Sequence, residues 1–134
     1  LIFLQIILGA FVSGLDAGKI YQTWPLMGLT YFPDDLNYMN LINFENHSLV
    51  QFYHRNNAYL IFIYSVIMGL IIFLSEKKFL YKSLIIFLIF LFLQICLGIF
   101  TLISNLNIVL ASGHQILSII LMLSAINLYY SCIK

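Results

Sequence analysis

Three uninterrupted apolar runs constrain this chain more than any other feature. They cover about Gln51–Leu74, Leu84–Ser104 and Ile108–Cys132. Each reaches the roughly 20 residues that a helix needs to cross a bilayer. A fourth run, Leu1 to about Leu15, is shorter. At 1.5 Å per residue it spans about 22 Å, less than a ~30 Å hydrocarbon core. Only 8% of the 134 residues are charged, against about 25% in soluble domains. That composition excludes a soluble globular domain and a disordered segment. A net charge of +1 leaves no basic footprint for nucleic acid. The expectation is an all-α membrane protein, a single four-transmembrane-helix bundle over residues 1–134.

An internal repeat refines this expectation. Leu4-Gln5-Ile6-Ile7-Leu8-Gly9-Ala10-Phe11 matches Leu93-Gln94-Ile95-Cys96-Leu97-Gly98-Ile99-Phe100 at Leu, Gln, Ile, Leu, Gly and Phe. The bundle is therefore expected to be two repeated helical hairpins, with functional groups where the copies meet. Gln94 is near the middle of its run and Gln5 near the start of its own, so further residues are expected before Leu1. Lys77, Lys78 and Lys82 fall between the second and third runs, and Lys134 ends the chain. The positive-inside rule puts residues 75–83 and the C-terminus in the cytoplasm, with residues 16–50 outside.

Two histidines fall inside the runs. Ser48 and Gln51 fit a capping box, which puts His54 six residues into its helix. Asn107 fits an N-cap, with His114 seven residues in. Those spacings are about 9 and 10.5 Å along a helix. Both imidazoles then lie at nearly one depth and at equivalent positions in the two copies. Haem iron takes two opposed imidazoles, and helical bundles build cofactor sites from facing side chains. Ala58, Ala111, Gly113 and Ser118 are small neighbours that leave room for a flat macrocycle. Arg55 suits a haem propionate. The competing reading is a pair of hydrogen-bonded core histidines; ionisable groups inside a membrane are functional by default. Zinc would want four ligands, and no others stand near.

The remaining polar residues invite plainer assignments. Gln5 and Gln94 suit interhelical hydrogen bonds. Gly9, Gly14, Gly18 and Gly98 suit close helix contacts or helix ends. Tyr21, Trp24, Tyr31 and Phe32 suit an interfacial belt or a lid. Cys96 and Cys132 suit packing as small hydrophobes. His47 is expected in the loop before the second long helix, and Asp16 and Glu45 are expected to be solvated. Tyr53 and Tyr59 are left undecided. No nucleophile–base pair or phosphate loop stands out, and no catalytic residue is assigned.

The stretch Gly9-Ala10-Phe11-Val12-Ser13-Gly14-Leu15-Asp16-Ala17-Gly18-Lys19-Ile20-Tyr21, followed by Thr23-Trp24-Pro25-Leu26-Met27, resembles the fifth-helix and loop signature of the haem A synthase family, mitochondrial and alphaproteobacterial type. Val50-Gln51-Phe52-Tyr53-His54-Arg55 resembles its second His-Arg motif. Leu93-Gln94 through Gly98-Ile99, and Ala111 through His114-Gln115, extend the likeness. The resemblance implies an eight-helix protein of two similar halves that oxidises a methyl group of haem O to a formyl group, making haem A for cytochrome oxidase. The family's N-terminal half carries Glu-x-x-His-Arg. Position 51 here is Gln, which resembles the C-terminal half. By that likeness His54 and His114 are the iron ligands of a haem b, Arg55 also binds the cofactor, and haem O is substrate of the full enzyme. The implied partners are the bilayer, the N-terminal half, haem O synthase and cytochrome oxidase assembly factors. The implied location is a bacterial or mitochondrial inner membrane. The alternatives are a stand-alone bis-histidine electron carrier, an inactive fragment, and a membrane scaffold without haem. Trp24-Pro25-Leu26-Met27 favours the family reading, since a generic carrier has no need of that loop.

Overall fold

The computed structural model describes residues 1–35 and 41–133. Lys134, and residues 36–40 of the loop expected to face outward, lie outside the described residues. Four helices account for most of the chain: α1 (Ile2–Gly14), α2 (His47–Leu74), α3 (Tyr81–Ile103) and α4 (Ile108–Ile133). The last three are long and apolar enough to cross a membrane. At 13 residues, α1 is not.

Helix starts differ from the sequence expectation. Asn46, not Ser48, caps α2, its side chain accepting from the Leu49 N–H at 2.9 Å. An amide oxygen one residue before His47 satisfies an otherwise orphan donor of the first turn. Ser48 is therefore inside the helix and buried. His47 is its first residue and not a loop residue, though it is exposed. α3 begins at Tyr81, which moves Lys82 from the loop into the helix. Asn107 does cap α4, accepting from Val109 and Leu110 at 3.0 and 3.4 Å. Removing an N-cap oxygen costs about 1 kcal/mol. Asn46→Ala should therefore speed hydrogen exchange at the Leu49 amide roughly fivefold, and an unchanged rate would refute Asn46 as the cap.

α1 packs on α2, and α3 packs on α4. The turn from α3 to α4 uses two consecutive left-handed residues, Asn105 (φ 61°) and Leu106 (φ 57°). The Leu106 N–H closes the turn on the Thr101 carbonyl at 3.0 Å. A left-handed leucine carries strain, and here its side chain gains a seat against Gly18. A Cβ at Gly18 would come within 3.0 Å of Leu106 Cδ2. This contact joins the α3–α4 turn to the 3₁₀ turn Ala17–Lys19 that follows α1.

The main apolar cluster joins α2, α3 and α4, with Ile61, Ile72, Leu84, Phe87, Leu121 and Leu128 among its buried members. It occupies the end of the molecule nearest the α2–α3 connection. Outward-facing positions are strongly apolar: Phe62, Ile63, Leu70, Ile89, Phe92, Ile119 and Leu123 are all exposed. In water this exterior would be a liability; against lipid tails it is the expected surface. Cys132 is exposed and Cys96 half-buried, both as free thiols.

Candidate functional site

The polar groups gather at the opposite end, near the start of α2 and of α4. His54 stands eight residues past its cap and His114 seven past its own. These are about 12 and 10.5 Å along the two helices. Both side chains are half-buried.

Each imidazole meets the helix that precedes its own. Gln5 on α1 donates its amide to the His54 carbonyl at 2.9 Å. The same nitrogen lies 3.2 and 3.3 Å from the two ring nitrogens. One turn further along α1, a Cβ at Gly9 would come within 3.2 Å of His54 Cε1. The second site repeats this arrangement. Gln94 on α3 donates to the His114 carbonyl at 3.1 Å and lies 3.4 Å from Nε2. A Cβ at Gly98 would come within 2.9 Å of His114 Cε1. Sequence reasoning found these four residues in the repeat but read them as generic helix contacts. The missed signal was the four-residue spacing, which puts an amide and a gap on one face of a helix.

The surroundings of the two rings differ. Asn57, one turn after His54, donates to Gln5 Oε1 at 2.8 Å. Leu117 holds the corresponding place after His114, and Gln94 Oε1 and His114 Nδ1 are buried without a hydrogen-bond partner. The two sites are joined through α1. Gln115, beside His114, donates to Ser13 Oγ at 3.5 Å, one turn beyond the Gly9 that meets His54.

Arg55 reaches the loop that follows α1. It donates to the Leu26 carbonyl at 3.2 Å and to the Tyr21 carbonyl at 2.8 Å. Gln51, one turn earlier and almost fully buried, also donates to the Tyr21 carbonyl at 2.8 Å. These bonds clamp the loop after α1 across the start of α2. Met27 is buried beneath it, and Tyr31, Phe32 and Phe52 pack their rings at 5.4–5.9 Å. Tyr31 also bonds Asn56. The loop is thus a folded lid, while Trp24 is exposed. Tyr53 donates to the Leu41 carbonyl at 2.5 Å, holding the loop and not the histidines. Asp16 pairs with Lys19 at 2.9 Å on the surface, where such a pair contributes little.

Among the described residues, no three His, Cys, Asp or Glu side chains converge. The donor set is a pair of imidazoles. Two imidazoles suit haem, whose macrocycle would supply four nitrogens to the iron and leave the remaining ligands to the protein. The unpartnered His114 Nδ1 and the open space beside Gly113 are compatible with a further group at that site. Neither of two open surface cavities, about 210 and 370 Å³, is lined by a histidine.

The fold and site define a helical membrane protein with two histidines, each seated on the preceding helix by a glutamine and a glycine. The chain belongs to the cytochrome oxidase assembly protein family, COX15-CtaA, whose family model matches residues 1–126. It is 44% identical over 133 residues to the heme A synthase of Pelagibacter ubique, covering 97% of this chain and 39% of that protein. It is 39% identical over 131 residues to the heme A synthase of Rickettsia felis, covering 96% and 39%. It is 42% identical over 135 residues to the heme A synthase of Wolbachia pipientis, covering 98% and 36%. The chain thus spans about two-fifths of the length of the curated relatives it matches. No solved structure matches it.

Proposed function

We propose that this chain is the haem b-binding, C-terminal half of a haem A synthase, in which His54 and His114 would hold the iron. The observation that carries this reading is the duplicated histidine seat, Gln5 and Gly9 for His54, Gln94 and Gly98 for His114. Two imidazoles held alike at similar distances from their helix starts support bis-histidine ligation. A buried histidine kept only for packing needs no such duplication. When bound, haem b would supply one-electron transfer, in support of the half that oxidises the haem O methyl to a formyl group. In that full enzyme haem O is the substrate, and the product is haem A for cytochrome oxidase.

The chain's own residues divide the work. His54 and His114 each offer a ring nitrogen to iron. Arg55 uses two N–H groups on the lid and has further donors for a propionate, since a guanidinium carries five. The lid from Tyr21 to Asp34 is tied to the start of α2 through Gln51, Arg55 and Phe52. Gln51 stands where the family's other half has glutamate, and it holds the lid; this supports placing the oxidising chemistry in the N-terminal half.

In the membrane, the four helices form one bundle of two repeated hairpins. Residues 16–50 face outward, and residues 75–83 and the C-terminus face the cytoplasm or matrix of a bacterial or mitochondrial inner membrane. Its partners are the bilayer and the N-terminal half, then haem O synthase and cytochrome oxidase assembly factors. A reporter fused after Lys134 should be active only on the cytoplasmic side; activity on the outer side would reverse the orientation.

The binding test is direct. The chain purified in detergent and supplied with haem b should show a low-spin, six-coordinate optical spectrum. Absence of a Soret band from bound haem would end the haem reading and favour a scaffold. Co-expression with the N-terminal half separates an enzyme subunit from a stand-alone electron carrier, since only the former restores haem A formation.

A further inference from the structure

We infer that Gln5 and Gln94 are positioning residues that set the rotation of the two imidazoles, with Gly9 and Gly98 as the gaps that admit the ring edges. This rests on the proposed haem ligation for its consequence, though not for its geometry. Each amide nitrogen touches two things at once: the backbone carbonyl of a histidine and the edge of that same residue's ring. The carbonyl bond anchors the amide at a defined height on the neighbouring helix. In the haem-free chain the second N–H faces a ring nitrogen, whose lone pair accepts it; a ring nitrogen that ligates iron gives up that lone pair, and the amide then bears on the ring edge by contact alone. One turn along, the glycine leaves room for Cε1, which an added Cβ would approach to 3.2 Å in one site and 2.9 Å in the other. The ring edge is thus bracketed between an amide and a bare backbone. Free rotation about the Cβ–Cγ bond would drive it into one or the other.

The two brackets differ in tightness. Asn57 holds Gln5 by its oxygen, so that amide is tethered at both ends. Gln94 is tethered at one, with its Oε1 unpartnered. An added Cβ would crowd the ring more at Gly98 than at Gly9. Ring control at His54 therefore falls mainly on the glutamine, and at His114 mainly on the glycine. Ligand orientation and the hydrogen bonds around ligating histidines tune a bound metal, so these four residues act on the haem through the imidazoles.

The test uses the whole chain, with and without haem b. In the haem-loaded protein, electron paramagnetic resonance of the ferric form reads the mutual orientation of the imidazole planes. Gly98→Ala should displace the low-spin signal most, Gly9→Ala less, and Gly14→Ala not at all, since a Cβ at Gly14 meets nothing within 4 Å. In the haem-free protein, nitrogen-15 resonances of the histidine rings report the same contacts without any cofactor. Gln5→Glu and Gln94→Glu keep the shape and lose the N–H. They should shift the resonances of His54 and His114 respectively, each leaving the other unmoved. Unmoved ring resonances in both glutamate variants would overturn the positioning role, because a purely steric role survives an isosteric change. Equal responses to Gly14→Ala and Gly98→Ala would overturn the glycine half. If the wild-type chain binds no haem, the ligation reading fails while the ring resonances still decide the seats.

Discussion

His54→Ala and His114→Ala should each abolish the low-spin, six-coordinate haem b spectrum. Removing one axial imidazole leaves a five-coordinate, high-spin iron or no bound haem, and both outcomes shift the Soret band. The helix should survive either change. Alanine is the best helix former, and neither histidine belongs to the apolar cluster around Phe87 and Leu121. Far-ultraviolet circular dichroism checks that point independently. Added imidazole should restore the six-coordinate spectrum in a variant that retains haem, because the vacated space is shaped for that ring. A spectrum unchanged in both variants would refute ligation by these residues. The cause would then lie elsewhere in the chain, and His47, exposed at the first turn of α2, is the one histidine left.

Arg55→Ala should release the lid. The guanidinium donates to two loop carbonyls, Tyr21 and Leu26, and hydrogen bonds from charged donors contribute about 1.5–3 kcal/mol each when well formed. Arg55 is half-buried, so a combined loss of about 2 kcal/mol is the reasonable scale. That corresponds to a roughly thirtyfold rise in the open population. Limited proteolysis of the loop between Tyr21 and Leu26 should accelerate accordingly. Arg55→Lys should recover part of the protection at most, since one ammonium does not reproduce the two-pronged fork. Protection equal to wild type in Arg55→Ala would show that Gln51 and the Tyr31–Phe32–Phe52 cluster hold the lid without it.

Much of this architecture was legible in the residues. Long apolar runs place helices because a hydrocarbon solvent leaves the backbone no other partners. The long helices fall close to the expected runs, and α1 falls short as its length implied. Starts were less legible. Asn46 and Ser48 are both good caps two residues apart, and only the fold settles which oxygen meets an orphan N–H. The histidines were visible as ionisable groups in apolar surroundings. Their seats were only half visible. The repeat flagged Gln5, Gly9, Gln94 and Gly98 together, but which helix they faced depends on packing between segments up to 49 residues apart, Gln5 to His54. Arg55 was the least legible. Its sequence context names a cation at a rim, while the loop that captures it gains its shape from Met27 burial and ring contacts at long range.

The incomplete surroundings of His114 also bear on thermodynamic linkage. Gln94 Oε1 and His114 Nδ1 are buried and unsatisfied, and each such atom costs about 1–3 kcal/mol. Penalties of that size match the free energies of local opening in folded proteins. The seat of His114 on α3 therefore carries a local cost that the seat of His54 on α1, where Asn57 meets Gln5 Oε1, does not. Any molecule that satisfies those two atoms stabilises α3–α4 by mass action in proportion to its occupancy. The unfolding temperature should then rise with ligand concentration, and the rise should be lost where Gln94 and His114 are both replaced.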